Sequence, residues 1–371
     1  MDSLLAELTQ ERISAHLRGT QDGSAESKTV QSAIHPVQIE HRLEIARRFF
    51  GSRTASSSSF SSARGEDDKD GKGEGELGGA IDVHGARVLE VGCGQGDMTI
   101  VLAELVGEQG GVVGIDPAPL DYGEYLSEPP RGQLLVLALT CLHPPPPGAP
   151  LTLGQAQGIL KASKLGSRMT FLQADVPSFY SASAFATASS SPSSLTPFKA
   201  AVLAHCLLYF PSEAELLKTL TTLRQSGQIE HLCLAEYALS ASTPTAVPHL
   251  LAMLAQAFLP AAGANVQTLF SPVQLKRLAL QAGWKLRAES TIRNPGIQDG
   301  RWEVDTALAI DEERKKAAAA AAAGTPEDEA EKHRLTTFST LCDSIRAHLP
   351  ASGSSKGVTC SDVWTAVFDA A

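Results

Sequence analysis

Three glycines, Gly92, Gly94 and Gly96, alternate with Cys93 and Gln95, and acids stand on either side of them. Glu90 lies just before the first glycine, and Asp116 about 20 residues beyond the last, the spacing of a ribose-binding acid. Glycine lets a backbone approach a bulky ligand and adopt positive φ where a turn requires it. Asp116 is charged and acceptor-only, so it can take paired hydrogen bonds from ribose hydroxyls. Glu90 can hold the turn or reach a ligand's ammonium group through water. Further along, Asp175 stands between Ala174 and Val176. A carboxylate there suits the exocyclic amine of an adenine, and small apolar neighbours suit its ring. Asp175 could equally cap a helix. Cys93 reads as a small turn residue. His205 is either a packed wall residue or a general base. Tyr209, Glu236 and Tyr237 are candidates to line a second substrate's pocket.

These residues fall at the ends of short apolar runs. Val88 to Val91 reads as a buried strand, and Asp97 can cap a helix carrying Ile100, Leu102, Ala103, Leu105 and Val106. Val112 to Ile115 is a second strand ending on Asp116. Thr152 and Gln155 form a capping box for a helix to Ser163. Met169 to Ala174 is a third strand, Lys199 to Leu207 a fourth, His231 to Ala238 a fifth, Trp284 to Ile292 a sixth and Val358 to Phe368 a last one. Between them Ser212 with Glu215, Pro248 to Leu259, and Ser271-Pro272 mark helices. Strands alternating with helices predict an α/β fold with a mostly parallel, doubly wound sheet. Ahead of it, Asp2 to Leu17 and a stripe of Ile39, Leu43, Ala46 and Phe50 predict an N-terminal helical cap over residues 1–51.

With 371 residues, 43% of them apolar, the chain can bury a large core. A net charge of −10 without basic clusters argues against nucleic-acid binding. The six cysteines are scattered, which indicates neither a disulfide framework nor a metal site. The first residues lack a secretory pattern and no apolar run could cross a bilayer, so a cytoplasmic protein without membrane association is expected. Composition says nothing of oligomeric state.

Besides a Ser-rich insertion at 181–197, two others interrupt the pattern. Residues 52–80 are Ser, Gly and charge, too poor in apolar groups to offset the cost of ordering, and a disordered tether is expected. Residues 124–148 are apolar in the middle and end in four prolines, with no period continuing into their flanks. The stretch has the marks of a retained intron. Gly123-Glu124-Tyr125 can be encoded with a GTGAGT donor, Leu139-Thr140 with a CTGAC branch sequence, and the proline run with a pyrimidine tract ending in CCA-GG. A tolerated surface loop is the alternative. The remainder, 81–371, reads as one domain.

The GxGxG spacing, with Glu90 before it, differs from the GxGxxG of NAD-binding folds. It resembles motif I of the class I S-adenosylmethionine (SAM) dependent methyltransferases. The text HPVQIEHRLEIA, VLEVGCGQGDMT, DPAPLDYG, LTLGQAQGIL, AVLAHCLLYF, LAEYAL, IQDGRWEV and DVWTAVF is similar to a group of fungal methyltransferases whose acceptors are mostly uncharacterised. That group runs DYG directly into the TLGQAQ helix. The resemblance implies a Rossmann-like sheet of seven strands with the last inserted antiparallel beside the fifth. It implies SAM as cofactor, held by Glu90, Gly92, Cys93, Gly94, Gly96, Asp116, Pro117, Ala174, Asp175, Val176 and His205, the last against the methionine portion. His205, Tyr209 and Glu236 are then the candidate catalytic residues.

His205-Cys206-Leu207-Leu208 stands after the fourth strand in place of Asn/Asp-Pro-Pro-Tyr, which argues against methylation of adenine or glutamine nitrogen. A small-molecule acceptor, methylated on N or O and belonging to secondary metabolism, is the leading expectation. A SAM-binding regulator or catalytically inactive relative is the second. An NAD(P)-dependent reductase is the third, and it would want GxGxxG and a Tyr-x-x-x-Lys pair.

Overall fold

A computed structural model describes residues 2–18, 36–51, 80–122, 151–181, 197–259, 266–297, 299–320, 329–350 and 353–370. In chain order these form α1 (Asp2–Glu7), α2 (Gln10–Arg18), α3 (Pro36–Phe50), β1 (Arg87–Val91), α4 (Asp97–Val106), β2 (Gly111–Asp116), α5 (Leu153–Ala162), β3 (Met169–Gln173), α6 (Val176–Tyr180) and β4 (Phe198–Ala204). Then come α7 (Glu213–Gln225), β5 (Ile229–Tyr237), α8 (Val247–Phe258), α9 (Pro272–Gln281), β6 (Trp284–Ile292), α10 (Asp299–Ala320), α11 (Glu329–His348) and β7 (Val363–Ala370). The expected insertions at 52–80 and 124–148 lie almost wholly outside the described residues.

The sheet order is β3-β2-β1-β4-β5-β7-β6. β1 pairs in parallel with both β2 and β4, so the order reverses between β1 and β4. β7 runs antiparallel between β5 and β6. This is the seven-stranded α/β sheet expected from the sequence.

Alternate side chains of each strand enter opposite cores. Val88, Val112, Ala200 and Val202 join α1 to α5 on one face. Leu89, Val113, Ala201 and Leu203 join α6, α7 and α9 on the other. Burial on both faces explains why these strands read as continuous apolar runs. The capping boxes at Thr152/Gln155 and Ser271/Gln274 are both formed.

Some boundaries differ from expectation. β4 stops at Ala204, because His205 adopts a left-handed φ of 54° and Leu207–Tyr209 turn into a short 3-10 helix. The cap of α4 is Gly96, with no side-chain bond, and Asp97 instead places its charge in the first turn. β7 begins at Val363, not Val358, since the amides of Thr359 and Asp362 are taken by the carbonyls of Thr245 and Ser240. The helices α10 and α11 were not expected beyond the alanine run. Both are rich in charge and bury few apolar side chains, among them Val304, Ala307, Phe338, Cys342 and Ile345, so their periodicity is weak. No helix among the described residues is long and apolar enough to cross a membrane.

Candidate active site

The reversal between β1 and β4 opens a crevice at the strands' carboxyl ends, where ligands bind in open α/β sheets. After β1 the chain turns through Gly92, Gly94 and Gly96, all at positive φ. The turn is pinned from β2, whose Ile115 carbonyl accepts from the amides of Gly92 and Cys93. Two of the glycines are required by close packing. A Cβ on Gly92 would lie 2.5 Å from that of Cys206, and one on Gly96 2.3 Å from Leu160 Cδ1. Gly94 differs, since a Cβ there would meet nothing within 4 Å. Its backbone faces open space.

Asp116 closes this turn. Its Oδ2 accepts from the Gly94 amide at 2.9 Å and its Oδ1 from the Ala118 amide at 2.9 Å. The carboxylate is half-buried and so fixed in orientation, with lone pairs left for a ligand; exposed Pro117 follows it. Glu90 is buried at 3% exposure and accepts from Thr99 Oγ1 at 2.6 Å. That bond ties β1 to the first turn of α4. Burial raises its carboxyl to about 8, with the Thr99 hydrogen bond and Arg42 pulling the other way. Cys93 is buried, and its thiol is raised by that burial and by Glu90 and Asp116, which leaves it unreactive.

A polar patch on the buried face of α3 roofs the crevice. Gln38, His41 and Arg42 follow helical spacing and are only 7%, 5% and 8% exposed. Gln38 Nε2 donates to Asp299 Oδ1 at 2.6 Å, and the Tyr237 hydroxyl donates to Asp299 Oδ2 at 3.0 Å, which ties the start of α10 to α3 and β5. His41 Nε2 meets His205 Nε2 at 2.8 Å. Arg42 interacts electrostatically with Glu90 and Asp97, yet its buried Nη1 has no hydrogen-bond partner. A desolvated guanidinium nitrogen without an acceptor calls for an anion.

The structure brings most of the expected residues to this crevice but changes what several can do. Glu236 is fully buried. Its Oε2 accepts from the amides of Leu207 and Leu208, and its Oε1 from that of Tyr237. It therefore holds the turn after β4 and does not line an acceptor pocket. His205 has its Nε2 engaged by His41, while its Nδ1 faces Glu236 Oε1 at 3.5 Å. Tyr209 is 52% exposed. Loss of solvent raises its phenol well above its ordinary value, and Glu303, Tyr122, Asp299 and Glu236 add to the effect.

On the β3 side, Ala174 donates its amide to the Asp116 carbonyl at 3.0 Å. Asp175 caps α6, its Oδ1 accepting from the Ser178 amide at 2.8 Å, and that hydrogen bonding lowers its carboxyl. Val176 is 2% exposed and packs in the core, so its side chain does not reach a ligand.

Residues 75–289 match the methyltransferase domain family, and the chain belongs to it. Its cofactor is SAM. A cyclopropane-fatty-acyl-phospholipid synthase-like protein from Lactobacillus casei shares the fold at 23% identity, with a TM-score of 0.62 over 97% of this chain and 100% of that one. A phosphoethanolamine N-methyltransferase of Haemonchus contortus, solved with S-adenosylhomocysteine, is 12% identical with a TM-score of 0.38 over 89% of this chain and 52% of that one. No curated protein matches.

The residues present fit SAM. Gly94 offers backbone open to a bulky ligand, Asp116 offers a fixed acceptor for ribose hydroxyls, and Arg42 offers a guanidinium nitrogen without a hydrogen-bond acceptor, which an α-carboxylate would satisfy. Sequence reasoning missed Gln38, His41, Arg42, Tyr122, Asp299 and Glu303. The signal available for the first three was a run of polar residues on the apolar side of α3.

Proposed function

We propose that the protein transfers the methyl group of SAM to the nitrogen or oxygen of a small molecule, with a fungal secondary metabolite as the acceptor class. The single observation behind the SAM side is Asp116, held at the carboxyl end of β2 by the Gly94 and Ala118 amides. In this reading Asp116 orients the ribose, Asp175 and Ala174 meet the adenine edge, and Arg42 holds the carboxylate. The sulfonium supplies an already activated methyl group. The chain's own contribution is then alignment and exclusion of water, worth on the order of 7–11 kcal/mol at best. α3 and the start of α10 close the crevice from above.

A regulator or inactive relative is the second reading. It is favoured by the occupation of Glu236 and of His205 Nε2 within the protein, which leaves neither free as a base. Calorimetry with SAM, S-adenosylhomocysteine and NAD, followed by labelled SAM with fungal metabolite extracts, tests both. Binding of SAM and a labelled product are expected. Tight SAM binding with no product from any extract supports the regulator, and binding of NAD alone overturns both.

A further inference from the structure

Beyond the cofactor residues, the crevice continues to a wall that none of the roles above uses. Glu303, one turn along α10 from Asp299, is only half-buried at its surface, yet desolvation raises its carboxyl to about 7, with the Gln256 hydrogen bond opposing and Asp299 reinforcing the rise. Two tyrosines that follow β4 and β2, Tyr209 at 52% and Tyr122 at 48%, are exposed. Both interact electrostatically with Glu303, and Tyr122 also with Asp116, so this wall adjoins the ribose acid.

A second observation points to a ligand. Gln256, 2% exposed, donates its Nε2 to Glu303 Oε2 at 2.6 Å and to the Glu303 carbonyl at 3.2 Å. The other end of that amide, Oε1, is buried without a hydrogen-bond partner. Glu303 and the exposed tyrosines offer a carboxylate and π faces, and no basic residue pairs with Glu303 among the described residues. A phenolate or carboxylate substrate would meet like charge there. A cation would meet a carboxylate and two aromatic faces.

Resting on the methyl-transfer reading, we propose that the acceptor is an amine, held as its ammonium between Glu303 and the rings of Tyr122 and Tyr209, with Glu303 as the base. Glu303 takes one proton from the ammonium. The freed lone pair forms the new N–C bond while the bond from methyl carbon to sulfonium sulfur breaks and its electron pair stays on sulfur. Asp299, fixed by Gln38 and Tyr237, keeps α10 in register so that Glu303 faces the tyrosines.

The test uses the full chain with labelled SAM and a panel of primary and secondary amines, phenols and carboxylic acids matched in size. Products are resolved by mass spectrometry, and S-adenosylhomocysteine affinity is measured in parallel. N-methylated products alone are expected. Glu303→Gln is expected to lower kcat/KM for the best amine by about 100-fold, the scale of a lost general base, while S-adenosylhomocysteine affinity stays within about 3-fold. That unchanged affinity also shows that the variant folds. Methylated phenols or acids, no methylated amine, or a Glu303→Gln enzyme of full activity overturns the inference. If S-adenosylhomocysteine binds but amines are not selected, the amine inference falls alone. If it does not bind, the methyl-transfer reading falls too.

Discussion

His41 Nε2 and His205 Nε2 lie 2.8 Å apart, so one imidazole must donate and the other accept. The carboxylate beside His205 Nδ1 favours a proton there, which leaves His205 Nε2 as acceptor and His41 as donor. Burial holds His41 well below its ordinary pKa, with His205 and Arg42 adding to that, and burial brings His249 down to about 4, with Asp299 opposing and His205 adding to the fall. The pair locks the roofing helix α3 to the end of β4 only while it carries a single shared proton.

Acid should therefore unlatch the protein. The unfolded chain takes up protons on His41 and His249 as pH falls through about 6.5, and the folded chain does not, so their contribution to stability is full above that value and is lost below it. For His249 the loss reaches on the order of 3 kcal/mol near pH 4. Buried acids act oppositely. Glu90, raised to about 8, keeps its proton in the folded state, so its contribution declines as pH rises from about 4.5 toward 8. Urea unfolding across pH should show a shallower acid limb in His249→Gln and a shallower alkaline limb in Glu90→Gln. Limbs identical to the parent's would refute both assignments.

The glycines should separate stability from affinity. In Gly96→Ala the new methyl meets Leu160 at 2.3 Å with φ at 97°, and a loss of about 2–4 kcal/mol is expected from strain and overpacking together. Gly94→Ala meets nothing, so its stability cost is about 1 kcal/mol, from φ alone. Its methyl enters the space assigned to the cofactor, however, and S-adenosylhomocysteine should bind at least about 10-fold more weakly, about 1.4 kcal/mol. Thermal melts and calorimetry on the two variants would expose a reversed pattern.

Asp116→Ala should weaken SAM binding by about 1.5–3 kcal/mol, the scale of lost charge-assisted hydrogen bonds. Arg42→Gln should act on the same ligand from the other side. Its effect should shrink when the probe is 5′-methylthioadenosine, which has ribose and adenine but no α-carboxylate. Equal losses for both probes would place Arg42 elsewhere.

The segment 124–148 can be tested by removal. On either side of it the chain meets itself: the Leu153 amide donates to the Tyr122 carbonyl at 3.1 Å, and the Gly154 amide to the Leu120 carbonyl at 2.8 Å. Gln95 Nε2 also donates to the Leu151 carbonyl. Joining Gly123 to Ala149 should leave fold and SAM affinity intact, because the ends already stand together and a shorter loop costs less entropy to close. Collapse of the variant would show the segment to be structural. Mature message that reads continuously across it would exclude an intron.

Residue types and spacing alone determined the βαβ half-unit, the strand-end position of Asp116 and the alternation of strands and helices. Each of these is written in local pattern, such as glycine where φ must be positive or an apolar run where both faces are covered. The family resemblance added the antiparallel last strand. Only the tertiary structure decided which polar groups remain available for chemistry. Glu236 looked like a free strand-end acid, but three backbone amides claim it. Asp175 looked like an adenine contact, and a helix start takes one of its oxygens. Arg42 and Glu303, by contrast, were unremarkable letters on helices. Sequence does not record which partners long-range packing brings to a carboxylate or withholds from a guanidinium, and desolvation without a partner is what marks a side chain as waiting for a ligand.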